Sequence, residues 1–211
     1  MKDRIALKRL IEERLKDSRA ALDPSQAVPA GFSANDIESI RAYFPPTPIP
    51  AAVLVPIVDR ESGLTVLLTQ RASTLKNHAG QISFPGGRIE PSDLNPAEAA
   101  LRETEEEIGV SREHIRFVGY LEPQLVLSGY WVTPVVAFVQ PGFELRLDRR
   151  EVESAFEVPL AHILDPVNHR SRTRELGAVT VQVFDIPYLD YNIWGATAGM
   201  LMSLYRLLQT E

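Results

Sequence analysis

Apolar positions recur along this chain in two rhythms, one of helical spacing and one of strands. Ile5, Leu7, Leu10, Ile11 and Leu15 among Lys, Arg and Glu predict an amphipathic helix over 2–22. It is expected to pack on the main domain or on a partner subunit, as in a homodimer. Acidic residues in its polar face speak against a membrane-surface role. A loop over 23–34 and a short helical segment through Ile37, Ile40 and Tyr43 lead to the proline-rich stretch 45–50, a stiff connector. Residues 51–58 and 64–69 read as two strands of a hairpin with a turn over 59–63. Residues 82–85 look like a strand end, and 115–121, 131–139 and 179–186 read as further strands. The apolar run 193–208 is a helix, too short and too charged to span a membrane.

One more helix stands out by its ends. Asn95 is an N-cap, Pro96 takes the first helical position, Glu98 is spaced for a capping box and Gly109 is the stop. Ala97, Leu101, Thr104 and Ile108 form its apolar stripe, and Glu103, Glu106 and Glu107 fall outside it.

The 211 residues are 45% hydrophobic and 24% charged, enough for one well-cored domain with an appendage. A net charge of −6 argues against nucleic acid as a partner, though a small polyphosphate can still bind through local cations. There is no cysteine, which excludes disulfides and thiolate chemistry. The start lacks a signal-peptide core and no run of about twenty apolar residues occurs, so a cytoplasmic protein without a membrane span is expected.

The acidic helix carries the candidate chemistry. Glu103, Glu106 and Glu107 lie at i, i+3 and i+4, so their like charges repel unless a cation sits among them. Hard oxygen donors with room for water and phosphate suit Mg²⁺ or Mn²⁺. Arg102 is placed to orient one carboxylate. Gly86 and Gly87 allow a backbone to approach a ligand closely. Arg71, Lys76 and His78, in the polar loop just before them, are candidate phosphate ligands. Ser128 and Tyr130 sit at a turn suited to a pocket mouth, where Tyr130 or Trp131 would either stack on adenine or fill the core. His114, His162 and His169 show no ligand spacing.

Gly87, Arg102, Glu103, Glu106, Glu107, Gly109 and Val110 resemble the Nudix box, glycine followed by a spacer and Arg-Glu-x-x-Glu-Glu-x-Gly. Asp93 stands where the box has its first glutamate, with eight residues rather than seven between it and Arg102, and Thr104 replaces an aliphatic residue. Leu67, Leu68, Thr69, Arg71, Ala72, Gly80, Phe84, Pro85, Gly86 and Gly87 are similar to the signature of the coenzyme A pyrophosphatase subgroup, with Lys76 in place of its arginine. The resemblance implies an α/β/α sandwich with a mixed sheet over 51–211, behind a helical appendage and connector over 1–50. It also implies metal-dependent hydrolysis of a diphosphate bond in a small nucleotide, coenzyme A above all, with ADP-ribose, NADH or another nucleoside diphosphate derivative as the alternative. Glu103, Glu106 and Glu107 would hold the metal, and Glu106 or Glu151 would act as base. Residues 149–160 resemble the loop and helix that follow the Nudix sheet. A silent domain that senses a metabolite is the remaining alternative, and it would be expected to lose a helical glutamate.

Overall fold

Ile49–Arg60 (β1) is a nearly continuous apolar run, and in the computed structural model, which describes residues 4–21, 23, 43–176 and 179–209, it is buried on both faces. A two-residue turn at Glu61 and Ser62 reverses it into Gly63–Arg71 (β2), with Arg60 opposite Gly63, so the expected hairpin forms with longer strands. Ile82–Ser83 (β3) adds to β2, and Gly86–Arg88 (β4) pairs antiparallel with the start of β1. Ile115–Tyr120 (β5), Gln124–Leu125 (β6) and Tyr130–Val139 (β7) follow. β7 lies parallel to β1 over ten pairs, Ile49 opposite Tyr130 through Val58 opposite Val139, and takes β5 and β6 antiparallel. These strands belong to one mixed eight-stranded sheet, completed by Val152–Pro159 (β8).

β8 corrects the reading of residues 149–160 as loop and helix. It pairs with β2 from Val152 opposite Arg71 to Pro159 opposite Thr65, and only Leu160–Ile163 (α3) is helical. Val158 is buried and Glu157 pairs with Arg60 at 2.5 Å, so tertiary partners rather than alternation hold this strand in place. The predicted strand over 179–186 is Val179–Tyr188 (β10), the middle of a second, three-stranded sheet. Its neighbours, Arg170–Leu176 (β9) and Tyr191–Trp194 (β11), escaped the sequence reading, β9 because four of its seven residues are Arg or Glu. Phe156 of β8 stacks on Tyr191 of β11 at 3.7 Å between centroids.

Helices cover both faces of the main sheet, which makes the expected α/β/α sandwich. Alternation along β1 sends Ala52 and Leu54 to one side, against Ala99 and Ala100 of Pro96–Ile108 (α2). It sends Ala51, Val55 and Ile57 to the other, into a core shared with Gly195–Gln209 (α4) and with Arg4–Leu15 (α1). Trp131 is buried in this fold rather than free to stack on a base. The helical segment expected through Ile37 and Ile40 lies outside the described residues. No helix among them is long and apolar enough to cross a membrane.

The buried stripe of α1 is Leu7, Ile11 and Leu15, while Ile5 is 52% exposed. Arg4 and Lys8 pair with Asp59 of β1, and Ser18 accepts the Tyr120 N–H at 2.9 Å, so both ends of the helix are tied to the sheet. Ile11→Ala is expected to cost about 2–5 kcal/mol, the range for emptying a fully covered site. In a protein of this size that lowers the thermal midpoint by roughly 5–15 °C, with Ile5→Ala as a near-silent control. An unchanged melting curve for Ile11→Ala would show that the helix is dispensable to the core.

Candidate active site

The site forms where the start of β4 meets the last turns of α2, and the ends of that helix are set by the residues that predicted them. Asn95 is extended at φ −165° and its Oδ1 accepts the Glu98 N–H at 3.1 Å. Gly109 takes φ 72° and donates its N–H to the Glu105 carbonyl. The capping box is half formed, because the Glu98 carboxylate turns to Arg112 instead.

The buried face of α2 differs from the predicted stripe. Ala100, Thr104, Glu107 and Ile108 are covered, whereas Ala97 and Leu101 are half-buried. Glu107 is therefore not on the outer face but only 5% exposed, in register with Ala100 and Thr104 at i−7 and i−3. Apart from the Gly86 N–H, which donates to its Oε2 at 3.2 Å, the carboxyl has little to replace water, and burial pushes its pKa up to about 8. The charges of Glu103 and Glu151 push the same way, while Gly86 and the Arg71 guanidinium oppose them.

Gly86 is required by its approach to the backbone of β1, and Gly87 faces the end of a glutamate side chain. A side chain on Gly86, at φ +151°, would stand 2.4 Å from the Ala52 carbonyl, and one on Gly87 would stand 2.5 Å from the Glu103 carboxyl. Gly87 thus lets β4 lie directly on Glu103, which is half-buried and whose pKa is raised by that burial and by Glu106 and Glu151 against the pull of Arg102.

Arg102 joins the loop to the helix. Its Nε and Nη2 donate to the two oxygens of Asp93 at 3.1 and 3.0 Å, and Nη2 also donates to the Arg88 carbonyl at 3.1 Å. Its Nη1 reaches Glu103 at 2.9 Å and Glu106 at 3.4 Å. Asp93 also accepts the Glu90 N–H, and the guanidinium holds its carboxyl below the usual range. The shorter acid and the longer spacer therefore meet on Arg102, and Asp93 serves to fix that side chain.

Glu151 is carried by the turn before β8. Asp148 donates its N–H to the Glu107 carbonyl and accepts from the N–H of Glu151, whose own carbonyl takes the Ala72 N–H at 2.8 Å. The exposed Glu151 carboxylate thus acts on both Glu103 and Glu107. Arg71 ends β2 across from Val152, its backbone closed onto Gly80 and Gln81. Its Nε is buried with no partner among the described residues. Lys76, His78 and Ser128 are exposed and share no hydrogen bond or ion pair with these carboxylates among the described residues, His78 bonding Gln81 instead. Tyr130 receives Nε and Nη2 of Arg88 on its hydroxyl at 3.1 and 3.0 Å. The sequence reading passed over Arg88. Its place directly after the glycine pair was the one signal available.

As their side chains stand, no three acidic or imidazole groups among the described residues are gathered to hold a metal ion. The donor set nevertheless fits a hard divalent cation: Glu103, Glu106, Glu107 and Glu151 offer oxygens only, the buried Glu107 lacks a full countercharge, and Glu106 has a 61% exposed side chain held, among the described residues, only by a 3.4 Å contact with Arg102.

The NUDIX domain family matches residues 48–178. A protein of Escherichia coli (strain K12 / DH10B) named uncharacterized Nudix hydrolase NudL is 41% identical over 159 residues, 73% of this chain and 80% of that protein. Its namesake in Photorhabdus laumondii is 37% identical, over 75% of this chain and 84% of that one. Among solved structures, a Nudix hydrolase from M. smegmatis, RenU, is similar at TM-score 0.47 and 21% identity, over 55% of this chain and 73% of that chain.

Proposed function

Because the chain belongs to the Nudix hydrolase family, whose members act on nucleoside diphosphate derivatives, we propose that it cleaves the diphosphate bond of coenzyme A or its derivatives. The observation that supports the finer reading is that the signature segment from Leu67 to Gly87 folds onto the carboxylates as one unit. Arg71 and Gln81 close its loop, and Gly86 at its end donates to Glu107.

Water adds to one phosphorus, the bridging P–O bond breaks, and the products are adenosine 3′,5′-bisphosphate and 4′-phosphopantetheine. The Arg71 guanidinium, whose Nε has no partner among the described residues, binds a non-bridging oxygen, with Lys76 and His78 within the same loop to gather the rest. Glu103, Glu106 and Glu107 would hold Mg²⁺ or Mn²⁺, which supplies neutralising charge for the phosphate oxygens when bound. Of the two candidate bases Glu151 is the better placed. Its charge bears on both Glu103 and Glu107, whereas that of Glu106 bears on Glu103 alone and is shared with Arg102 at 3.4 Å.

Incubation with Mg²⁺ or Mn²⁺ and coenzyme A, ADP-ribose, NADH or a nucleoside triphosphate, followed by mass spectrometry of the products, tests the substrate. Preferential release of 4′-phosphopantetheine is expected. Faster cleavage of ADP-ribose or NADH would sink the coenzyme A reading and leave the hydrolase.

A further inference from the structure

We propose that Arg88, held by Tyr130, is the specificity residue for a phosphomonoester on the nucleoside, the 3′-phosphate of coenzyme A. The inference rests on the coenzyme A reading and names the part of that substrate the carboxylate site does not contact. Gly87 lies against Glu103, and alternation along β4 turns the next residue, Arg88, to the opposite face of the strand. Gly87 stands opposite Ala52 and Arg88 opposite Ala51 on β1, so the diphosphate is assigned to Glu103 and the phosphomonoester to Arg88, one residue along and across the strand. β4 hydrogen-bonds to β1 alone, which leaves its other edge open among the described strands.

Arg88 is an exposed cation with no carboxylate partner among the described residues. Instead it is planted twice. Its carbonyl is gripped by Arg102, and its guanidinium lies 5.6 Å from the Tyr130 ring centroid with Nε and Nη2 on the phenol oxygen. Of the five N–H groups of a guanidinium, three remain to be given. The phenol oxygen accepts from the arginine, so its own O–H points elsewhere as a further donor. The pair therefore presents only donors and a fixed positive charge, the complement of a phosphate dianion. A ribose or a nicotinamide offers nothing that needs such a charge.

Coenzyme A and dephospho-coenzyme A differ only in this phosphate, so the two substrates separate the roles. Wild-type enzyme is expected to prefer coenzyme A in kcat/KM. Arg88→Gln is expected to lower kcat/KM for coenzyme A by about 10- to 100-fold through KM, while dephospho-coenzyme A is little changed. Tyr130→Phe should erode the same ratio by less. Binding of adenosine 3′,5′-bisphosphate and of adenosine 5′-monophosphate in chelator, by calorimetry, gives a readout independent of turnover. The bisphosphate should bind more tightly to wild type, and that margin should disappear in Arg88→Gln. Equal loss for both substrates, or a margin that survives the substitution, would overturn the assignment. Failure of wild type to cleave coenzyme A would instead remove the reading beneath it.

Discussion

Glu107→Gln is expected to lower kcat by about 10²- to 10³-fold while making the metal-free protein more heat-stable. The loss follows from removing a charged oxygen donor where phosphate charge must be neutralised. The gain follows from burial. In the folded chain Glu107 is 5% exposed with a pKa pushed up to about 8, whereas the unfolded chain releases that proton near the ordinary value of 4.5. Between those limits the native state binds one more proton than the unfolded state, so stability falls as pH rises, by a few kcal/mol in all. Glutamine keeps an oxygen for the Gly86 N–H and carries no charge to bury. In chelator, wild type should therefore lose thermal midpoint between about pH 5 and pH 8, and Glu107→Gln should lose much less. Divalent cation should restore wild type most at the upper end of that window. Parallel melting curves for the two proteins across pH would refute the account of this carboxyl.

Arg102→Ala is expected to be the single change most damaging to the junction of loop and helix. It breaks the bidentate pair with Asp93, whose side chain is 5% exposed, and leaves that carboxylate covered without a partner. It also frees Glu103, Glu106 and the Arg88 carbonyl at once. Breaking such a pair costs 3–5 kcal/mol when fully buried; with Arg102 itself 20% exposed, about 2–3 kcal/mol is the expectation. Because the same guanidinium positions two carboxylates, kcat should fall by at least about tenfold in the protein that remains folded. Asp93→Asn should cost less stability and should have little further effect once Arg102 is alanine. Additive losses in the double variant would mean that the two residues act separately.

Those carboxylates show what could be read from residues alone. The helix ends were legible because Asn95 and Gly109 act locally, through hydrogen bonds within their own turns. The convergence of Glu103 with the glycine loop was legible through the resemblance. The burial of Glu107 is not legible, since apolar spacing runs the stripe through Leu101 and Ala97, whereas the sheet covers a face turned toward Ala100. The small side chains at Ala99 and Ala100 were the available clue, for they let the helix approach β1 closely. β8 is not legible because its partner β2 lies far back along the chain, and β9, though it forms a hairpin with β10, is an arginine-rich edge strand that carries no alternation of its own. Arg88 was passed over because its meaning depends on Tyr130, forty-two residues later, brought to it by β1 lying between β4 and β7.

That central strand also sets an order of events as the chain is made. β1 ends at Arg60, but its longest ladder is with β7, which is complete only at Val139. Until then β1 has the β2 hairpin on one side and an open row of amides on the other, while α1, made before it, has only part of its berth. Closing so long a loop is slow relative to forming hairpins and helices. The nascent amino-terminal half is accordingly a waiting structure, one that exposes an apolar edge to chaperones and to its neighbours until the seventh strand leaves the ribosome.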